Sequence, residues 1–404
     1  MINSIRSSIL FALIFGSMYS LPLQASGQCF SQLENSYTHS EVLSRLENLS
    51  PGIDKDKIRL KVSSVDSSFM FYRSFVSLFY DELKARLANS PLRKLEHFQG
   101  FSPIDYHPDN FSFYGVGNKE LRYQMNDYDN GNRVPVITDL IRYMSSLKIA
   151  NRNRFDRKEL KELIESYYKG LQGKEIDYPE FMLKNIHFKD GHYFSDSSDY
   201  GGQKLVRKLS KGRVARELSK DENHFIEQIV EDFFKGRLEV LDAFKYYNVT
   251  GGSGGLLRYK ILLRDKDHIL VYEFKEIEAG AFNPLNAVLN VSPIETLNFL
   301  VEDPRFRNFY GMAQMSDKTY FVRPKFDNFK QDDFLEYSNK QQLKLAKVQM
   351  NVIGLNHRIA LGKKSEIYWS ELSTLKDILS DKVDEMTDIM NFYYELLSKD
   401  KASL

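Results

Sequence analysis

The stretch FSPIDYHPDNFSFYGVGNKELRYQMNDYDNGNRVPVITDL, residues 101–140, contains two polar clusters that are separated by segments of strand character. The first cluster holds Asp105, His107 and Asn110, and the second holds Asp127 and Asp129. The pattern predicts strand, loop, strand and loop, followed by an apolar helix in VITDLIRYMSSLKIA. Because Pro, Asp and Asn favour turns, each cluster taken alone is compatible with a simple turn.

The pairing of the two clusters favours a site over two unrelated turns. A D-x-x-x-x-N run followed by a strand-ending Asp is the arrangement found in kinase-type phosphotransferases. In that arrangement Asp105 would orient or deprotonate an acceptor hydroxyl, and Asn110 would hold Mg²⁺ together with Asp127 or Asp129. Asp127 is the preferred ligand of the two aspartates, because it directly follows the alternating segment LRYQMN.

A glycine-rich turn further along the chain supplies a second part of such a site. VTGGSGGLLRYKILL places four glycines between two predicted strands, and because glycine has no side chain, the backbone amide groups there can approach an anion. The predicted phosphate-binding residues are Gly251, Gly252, Ser253, Gly254 and Gly255. The next strand, HILVYEFKEI, carries Lys275 where kinases keep the lysine that grips the nucleotide phosphates. The acidic clusters precede the glycine turn, which is the reverse of the order in a protein kinase.

The composition describes a folded protein without a strong net charge. Of the 404 residues, 42% are hydrophobic, and 56 Lys and Arg oppose 55 Asp and Glu, which leaves a net charge of +1. No global field would attract nucleic acid, so we expect no nucleic-acid partner. The basic segment KLVRKLSKGRVARELSK, residues 204–220, has no interleaved aromatic residue for base stacking and is predicted to be a solvated helix face.

The first residues have the features of an export signal. Arg6 precedes the apolar core ILFALIFGSMY, and the small residues of LQASGQ offer a cleavage site after Ala25 or Gly27. We therefore expect an exported protein, periplasmic or secreted, with no transmembrane anchor after cleavage. Cys29 is the only cysteine, which excludes an intrachain disulfide, and the sequence leaves open whether it carries a lipid.

The order of helical and strand-like segments predicts an α+β fold. A β-meander begins near residue 243, a further strand lies near residue 320, and helices occupy most of the remaining chain. Ser68 is a possible N-cap of one helix, and another helix is predicted to start at Ser292 and Pro293. The predicted segments are a signal peptide (1–27), a helical lobe with the acidic loops (28–240), a β-rich lobe with the glycine turn and Lys275 (241–330), and C-terminal helices packing on the helical lobe (331–404).

Together, the motifs resemble a known bacterial family, domain-of-unknown-function family 2252, which is grouped with kinase-like folds. The resemblance runs from about residue 68 to residue 330. FMFYRSFVSLFYDEL resembles F-x-R-G-x-x-x-x-F-x-x-D, IDYHPDNFSF resembles G-D-x-H-x-x-N-F-G, and MNDYDNGN resembles N-D-F-D-E. TGGSGGLLR is similar to G-x-G-S-x-G-x-x-R, and YFVRPKFDNFK to Y-V-R-Q-x-x-D-x-K, which adds Arg323 to the nucleotide-binding residues.

Several positions differ from the family pattern, among them residues 104, 130 and 324. Ile104 replaces the glycine before the first aspartate, Asn130 replaces the glutamate of N-D-F-D-E, and Pro324 replaces a glutamine. The acidic block also resembles the H-G-D-x-H-x-x-N and D-P-x-x-D-L-A segments of aminoglycoside phosphotransferases. That second resemblance implies a structural role for Asp139, behind the loop.

The resemblance implies a kinase-like two-lobed fold in permuted order, with a helical lobe and a small antiparallel β lobe. It implies binding of Mg²⁺ and ATP, with phosphoryl or nucleotidyl transfer to an unknown acceptor, and it gives Asp105 and His107 catalytic roles. Two alternatives stay open: a catalytically inactive binding protein on the same scaffold, and a metal-dependent hydrolase that uses His107 with the aspartates. The hydrolase needs no nucleotide, but it leaves the glycine turn and Lys275 without a role.

Mass spectrometry of the native protein tests the export signal. We expect an N-terminus between Ser26 and Cys29, because the small residues there suit cleavage by a signal peptidase. An intact Met1 on protein recovered from the cytoplasm would contradict the expected localisation.

Overall fold

The structure, a computed structural model, describes residues 37–50, 53–116, 120–152, 154–184, 200–207, 213–248, 254–266, 268–277, 292–301, 307, 309–315, 317–325, 330–331 and 334–399. Its strands are β1 (Gln99–Ser102), β2 (Phe111–Val116), β3 (Glu120–Met125), β4 (Asn132–Pro135), β5 (Tyr200–Gly201), β6 (Lys204–Leu205), β7 (Arg213–Arg216), β8 (Glu239–Asn248), β9 (Leu257–Asp265), β10 (His268–Glu276), β11 (Gly311–Met315), β12 (Lys318–Pro324) and β13 (Lys330–Gln331). Its helices are α1 (His39–Leu49), α2 (Lys55–Ser64), α3 (Ser68–Ser74), α4 (Val76–Leu87), α5 (Val136–Ala150), α6 (Arg157–Leu171), α7 (Glu180–Leu183), α8 (Lys220–Phe234), α9 (Pro293–Leu300), α10 (Asn339–Leu361), α11 (Ser365–Ser373) and α12 (Lys376–Lys399). This combination of helix and sheet confirms the predicted α+β class.

A six-stranded antiparallel sheet is formed by the later part of the chain, in the order β11-β12-β10-β9-β8-β7. Strands β8, β9 and β10 follow one another in antiparallel pairs, which confirms the meander predicted from their apolar runs. The strand predicted near residue 320 is β12, and it pairs with β10 so that Lys275 lies opposite Phe321. Strand β10 therefore lies inside the sheet, between β9 and β12.

The two faces of this sheet differ in character. Because side chains alternate across a strand, Tyr272 and Phe274 of β10 lie on one face, whereas Glu273 and Lys275 lie on the other. Helix α8 covers the first face with an apolar stripe made of Ile226, Val230 and Phe234. The charged side chains of β10 thus lie on the face opposite to this helix.

The basic segment at residues 204–220 is not the solvated helix that its charge pattern predicts. Part of it forms β6, and part forms β7, which pairs with β8 at one end of the sheet order. Arg213 and Arg216 of β7 lie over the rings of Tyr246 and Tyr247 of β8. A strand at the edge of a sheet tolerates exposed charges on its side chains, and charge spacing alone does not distinguish it from a helix face.

Helix α5 forms the centre of the helical part of the protein. Each of its residues except Lys148 is buried. Helix α12 packs on α5, and α10 packs on α6 and crosses β1. Strands β3 and β4 bracket the second acidic cluster, and α5 starts directly after β4. The cluster is therefore held between regular elements on both sides.

Two predicted helix starts can be compared with the structure. The helix predicted at Ser68 has Ser67 as its N-cap, since the Ser67 hydroxyl accepts from the Met70 N–H at 3.2 Å, and the helix is interrupted at Phe75. The helix predicted at Ser292 and Pro293 is confirmed, with a capping box between Ser292 and Glu295.

Residues 39–404 form one compact unit, and the predicted segment boundaries at residues 240 and 330 remain predictions. Strand β7 and helix α8, which precede residue 241, also contribute to the sheet and its cover. The signal peptide predicted at residues 1–27 and Cys29 lie outside the described residues. None of the described helices has the length and apolar character needed to span a bilayer.

Helices α6 and α10 approach each other closely at two glycines. A Cβ added to Gly354 would lie 2.2 Å from the Tyr167 carbonyl oxygen, and one added to Gly170 would lie 2.1 Å from the Asn351 carbonyl oxygen. A close-packed interior has no room for a side chain at such distances, so the crossing requires glycine at both positions. The crossing brings the Tyr167 hydroxyl to 2.8 Å from Nδ1 of His357.

We expect Gly354→Ala to lower the free energy of unfolding by about 1–3 kcal/mol, because the added methyl group would force the two helix backbones apart. Urea unfolding followed by circular dichroism measures the change. Gly201→Ala is the control, since nothing lies within 4 Å of the Cβ added there. Parent-like stability of Gly354→Ala would contradict the close approach.

Candidate functional site

Two aspartates of the second acidic cluster meet Lys275 of β10. The Lys275 Nζ donates to Asp127 Oδ2 at 3.1 Å, lies 3.4 Å from Oδ1, and forms a second ion pair with Asp129. Lys275 is almost completely buried, and 148 positions of the chain separate it from Asp127. The predicted proximity of the lysine and the aspartates is confirmed.

The pairing of β12 with β10 brings Arg323 close to Lys275 and the aspartates. Arg323 of β12 lies opposite Glu273 of β10, on the face that also carries Lys275. Its Nη1 donates to Asp127 Oδ1 at 3.2 Å, and its Nη2 lies 2.6 Å from Glu273 Oε1. Arg323 therefore links the sheet to the acidic cluster, beside the predicted metal ligand.

Glu273 belongs to no motif recognised in the sequence, yet it is the buried anion of this network. Its Oε1 accepts from Arg258 at 2.8 Å and from the Arg323 Nε at 2.7 Å, and its Oε2 accepts from the Tyr246 hydroxyl. Burial alone would raise the pKa of Glu273, but the two guanidinium groups outweigh burial and lower it well below its usual range. The segment LVYEFKE contains a usable signal, because its Glu lies two positions before Lys275 and so shares its face.

The two aspartates differ in how firmly they hold a proton. Burial alone would raise the pKa of Asp127, but Lys275 and Arg323 outweigh burial and hold this pKa below its usual range. Burial and the neighbouring Asp127 charge raise the pKa of Asp129 to about 6, against the effect of Lys275. Asp127 contacts both Lys275 and Arg323, which is compatible with its predicted role as main metal ligand.

The first acidic cluster is fixed by Arg142 of α5. The Arg142 Nη2 donates to Asp105 Oδ1 at 2.8 Å and to the Tyr72 carbonyl oxygen at 3.0 Å. The Asn110 side-chain amide donates to the Asp105 carbonyl oxygen at 2.9 Å, and the Asn126 N–H donates to the Asn110 carbonyl oxygen at 3.1 Å. Hydrogen bonds therefore join the two clusters, which are not separate turns.

Ile104, directly before Asp105, has a left-handed backbone with a φ of 70°. A β-branched residue rarely adopts this conformation, whereas glycine adopts it without strain, and glycine is the residue of the family pattern. The structure holds Ile104 in place: its side chain is fully buried, its N–H donates to the Ser102 hydroxyl at 2.8 Å, and its carbonyl oxygen accepts from the Tyr80 hydroxyl at 3.0 Å. Ile104 is therefore held in a backbone conformation that glycine would adopt without strain.

His107 is buried beside Asp105. Its Nε2 lies 3.8 Å from Asp105 Oδ2, which is too long for a hydrogen bond. Burial lowers the pKa of His107 well below its ordinary value, and the charges of Arg73 and Arg142 lower it further. Within the described part of the chain, its Nδ1 has no hydrogen-bond partner. A neutral imidazole with a free nitrogen is compatible with the predicted catalytic role.

The glycine-rich turn is described only in part. Residues 251–253 lie outside the described residues. Gly254 and Gly255 form the end of the turn; Gly255 has a left-handed φ of 85°, and its N–H donates to the Asn248 carbonyl oxygen at 2.8 Å. The strand–turn–strand unit around it is present, and its contact with phosphates stays a prediction.

Asp139 lies behind the first cluster, where it supports the loop. It is fully buried; its Oδ1 accepts from the Ser102 hydroxyl at 2.8 Å, and its Oδ2 lies 3.0 Å from His357 Nε2. Burial raises the pKa of Asp139, against the effect of His357. Because Ser102 also accepts from the Ile104 N–H, this chain of hydrogen bonds fixes the loop that carries Asp105. These contacts agree with the structural role that the resemblance implies.

Oxygen donors for a divalent cation are present on the two joined loops. Asp127 and Asp129 supply carboxylates, and the Asn110 side-chain oxygen accepts no hydrogen bond from another described residue. Carboxylate and amide oxygens are the ligands that Mg²⁺ prefers. A group of three or more His, Cys, Asp and Glu side chains suited to a metal does not occur among the described residues. The donor set that fits a hard cation is two carboxylates and one amide.

Comparison with known proteins gives one match. A family described as "Uncharacterized protein conserved in bacteria (DUF2252)" matches residues 54–180. Over these residues the chain is similar to DUF2252. The match includes both acidic clusters, and it supports the family that the motifs indicate. Lys275 and Arg323 lie beyond the residues matched to DUF2252. No curated protein and no solved structure matches the chain.

We expect Glu273→Gln to lower the free energy of unfolding by about 3–5 kcal/mol, because Arg258 and Arg323 would lose the buried carboxylate that they share. Denaturant unfolding measures the loss. Glu239→Gln is the matched control: it removes the exposed pair with Arg264 in the same sheet, and about 1 kcal/mol or less should be lost. Equal losses in the two variants would contradict the role of Glu273.

Proposed function

We propose that the chain binds a complex of Mg²⁺ and ATP at Lys275, Arg323 and the aspartates, and transfers a phosphoryl or nucleotidyl group to an acceptor hydroxyl. The observation that carries this proposal is the 3.1 Å contact between Lys275 Nζ and Asp127 Oδ2. It joins a predicted phosphate-binding cation to a predicted metal ligand from a distant part of the chain.

A kinase-like arrangement of two lobes in permuted order is part of the proposal. The helical part, built on α5, α6, α10 and α12, would be one lobe, and the six-stranded sheet with α8 would be the other. The contacts of Lys275 and Arg323 with Asp127 are what a site between two such lobes requires.

Lys275 and Arg323 are the groups that would hold the phosphates. Without a ligand, Asp127 and Asp129 neutralise Lys275, and Asp127 also contacts Arg323. Phosphate oxygens can take over as partners of the two cations, while the aspartates and Asn110 hold the metal. Each cation and each carboxylate of the site then keeps a partner of opposite charge. This matters because an unpaired buried charge is strongly destabilising. A bound Mg²⁺ would neutralise the phosphate charge.

Asp105 is the proposed base for the acceptor hydroxyl. Arg142 holds its Oδ1, and no hydrogen bond within the described part of the chain uses its Oδ2. That oxygen can accept the proton of a hydroxyl as the hydroxyl attacks. His107, with its free Nδ1, lies beside it and completes the acceptor side of the site.

Export to the periplasm or beyond is a further part of the proposal, supported by Arg6 and the apolar core after it. The nucleotide and the acceptor would then have to be met outside the cytoplasm. The phosphoryl or nucleotidyl acceptor is defined here only by its chemistry, a nucleophilic hydroxyl.

Parallel ATP titrations with and without Mg²⁺ test the roles of the aspartates. We expect Asp127→Asn to abolish Mg-dependent ATP binding, because the cation loses its main anionic ligand. Asp105→Asn should bind ATP like the parent, since an amide oxygen can still accept from Arg142, while turnover falls about 10²–10⁴-fold. Calorimetry measures binding. Turnover is measured by the released product, which is ADP for phosphoryl transfer and pyrophosphate for nucleotidyl transfer.

Asp265→Asn is the control for the loss of one carboxylate, because Asp265 ends β9 and takes no part in the site. It should match the parent in both measurements. Equal, Mg-independent binding by all four proteins would mean that the carboxylates act only as turn formers. Mg-dependent binding without release of ADP or pyrophosphate would favour the inactive binding protein instead.

A further inference from the structure

A groove of about 1050 Å³ lies where the C-terminal ends of α6 and α10 meet the start of α11. Its volume is close to the upper end of the range of about 300–1,000 Å³ that is usual for small-molecule pockets. None of its lining residues belongs to the candidate site. Its charged and aromatic lining residues are Tyr168, Lys174, Arg358, Lys363, Glu366 and Trp369.

The cations of this groove are not neutralised by nearby carboxylates. Within the described ranges, the side chains of Lys174, Arg358 and Lys363 form no ion pair. Lys376 on the adjoining helix differs, since it pairs with Glu165 at 2.5 Å. Three cations and the single carboxylate of the lining leave a net charge of +2 at the groove. A concave surface with this charge concentrates anions.

The backbone after α6 is shaped to hold one of these cations. Gly173 has a left-handed φ of 75°, and a Cβ added to it would lie 1.2 Å from Nη1 of Arg358. The guanidinium group therefore occupies the space that a side chain at Gly173 would take. It lies at the C-terminal end of α6, where the helix dipole favours a positive charge.

A pair of stacked rings forms a rigid part of the wall. Tyr168 and Trp369 stack with their centroids 4.0 Å apart and an angle of 10° between the rings. The Lys376 ammonium lies 4.8 Å from the centroid of the Trp369 ring. These contacts hold the indole of Trp369 in the groove wall.

We propose that this groove is a second binding site, for a small molecule that carries two or more phosphate-type charges. The planar fork of Arg358 suits two oxygens of a tetrahedral oxyanion, and Lys174 and Lys363 can neutralise a second such group as point charges. This site uses no residue of the proposed nucleotide site, and it stands whether or not that site is active.

Inorganic tripolyphosphate, added without Mg²⁺, is the probe for this site. Trp369 is the only tryptophan of the chain and lines the groove, so its fluorescence reports directly on the groove. We expect a saturable change in its emission with tripolyphosphate, and no change with sodium chloride at the same ionic strength. Absence of a saturable change in the parent protein would overturn the proposal.

Substitutions of two exposed residues test whether tripolyphosphate binds in the groove. Arg358→Gln and Lys363→Gln should each weaken tripolyphosphate binding at least about tenfold, the loss typical of one charge-assisted hydrogen bond. Lys364→Gln is the matched control, since it removes a neighbouring charge from the same turn without lining the groove. Parent-like affinity of Arg358→Gln, or an equal loss in Lys364→Gln, would overturn the proposal.

Discussion

The ion pair between the buried Lys275 and the partly buried Asp127 is the contact on which the candidate site depends. It joins the sheet to a loop that lies 148 positions earlier in the chain. Removing charges from water costs several kcal/mol per ion, so such a pair persists only where further partners compensate it. Arg323 supplies this compensation by contacting both Asp127 and Glu273. Positive and negative groups alternate through the network, and each buried charge has an opposite neighbour.

This alternation of charges also supports the proposed binding of a metal–nucleotide complex. Lys275 is the cation that a phosphate would recognise, and Asp127 is the anion that a metal would recognise. In a ligand with both a phosphate and a divalent cation, the phosphate can replace Asp127 as the anion beside Lys275. The divalent cation can replace Lys275 as the cation beside Asp127. A phosphate alone would leave the aspartates without a cation, and a metal alone would leave Lys275 without an anion. The network therefore favours the two together, which is the property expected of a site for a metal–nucleotide complex.

Local patterns in the sequence were sufficient for much of the fold and for part of the site. Apolar runs separated by turn residues predict β8 to β10, and Ser292 with Pro293 predicts a helix start. Sequence patterns do not predict the features that depend on contacts between residues far apart in the chain. Glu273 is a single acidic residue in an apolar strand, and only the register with Arg323 shows that it has cationic partners. Strand β7 was mistaken for a helix face, because its charges reveal their strand character only through pairing with β8.

The backbone at Ile104 shows how the loop of Asp105 is kept in place. A left-handed conformation costs an L-residue roughly 1–2 kcal/mol, and glycine would avoid this cost. The conformation persists because the surrounding structure determines it from several sides. Ser102 binds the Ile104 N–H and is itself bound by Asp139, which contacts His357 of α10. Strain that is held by such a chain of contacts is typical of positions where geometry matters for function. These supporting contacts lie behind the loop, on the side of Asp139. The carboxylate of Asp105 therefore stays available to accept from Arg142 and, in the proposed function, from the acceptor hydroxyl.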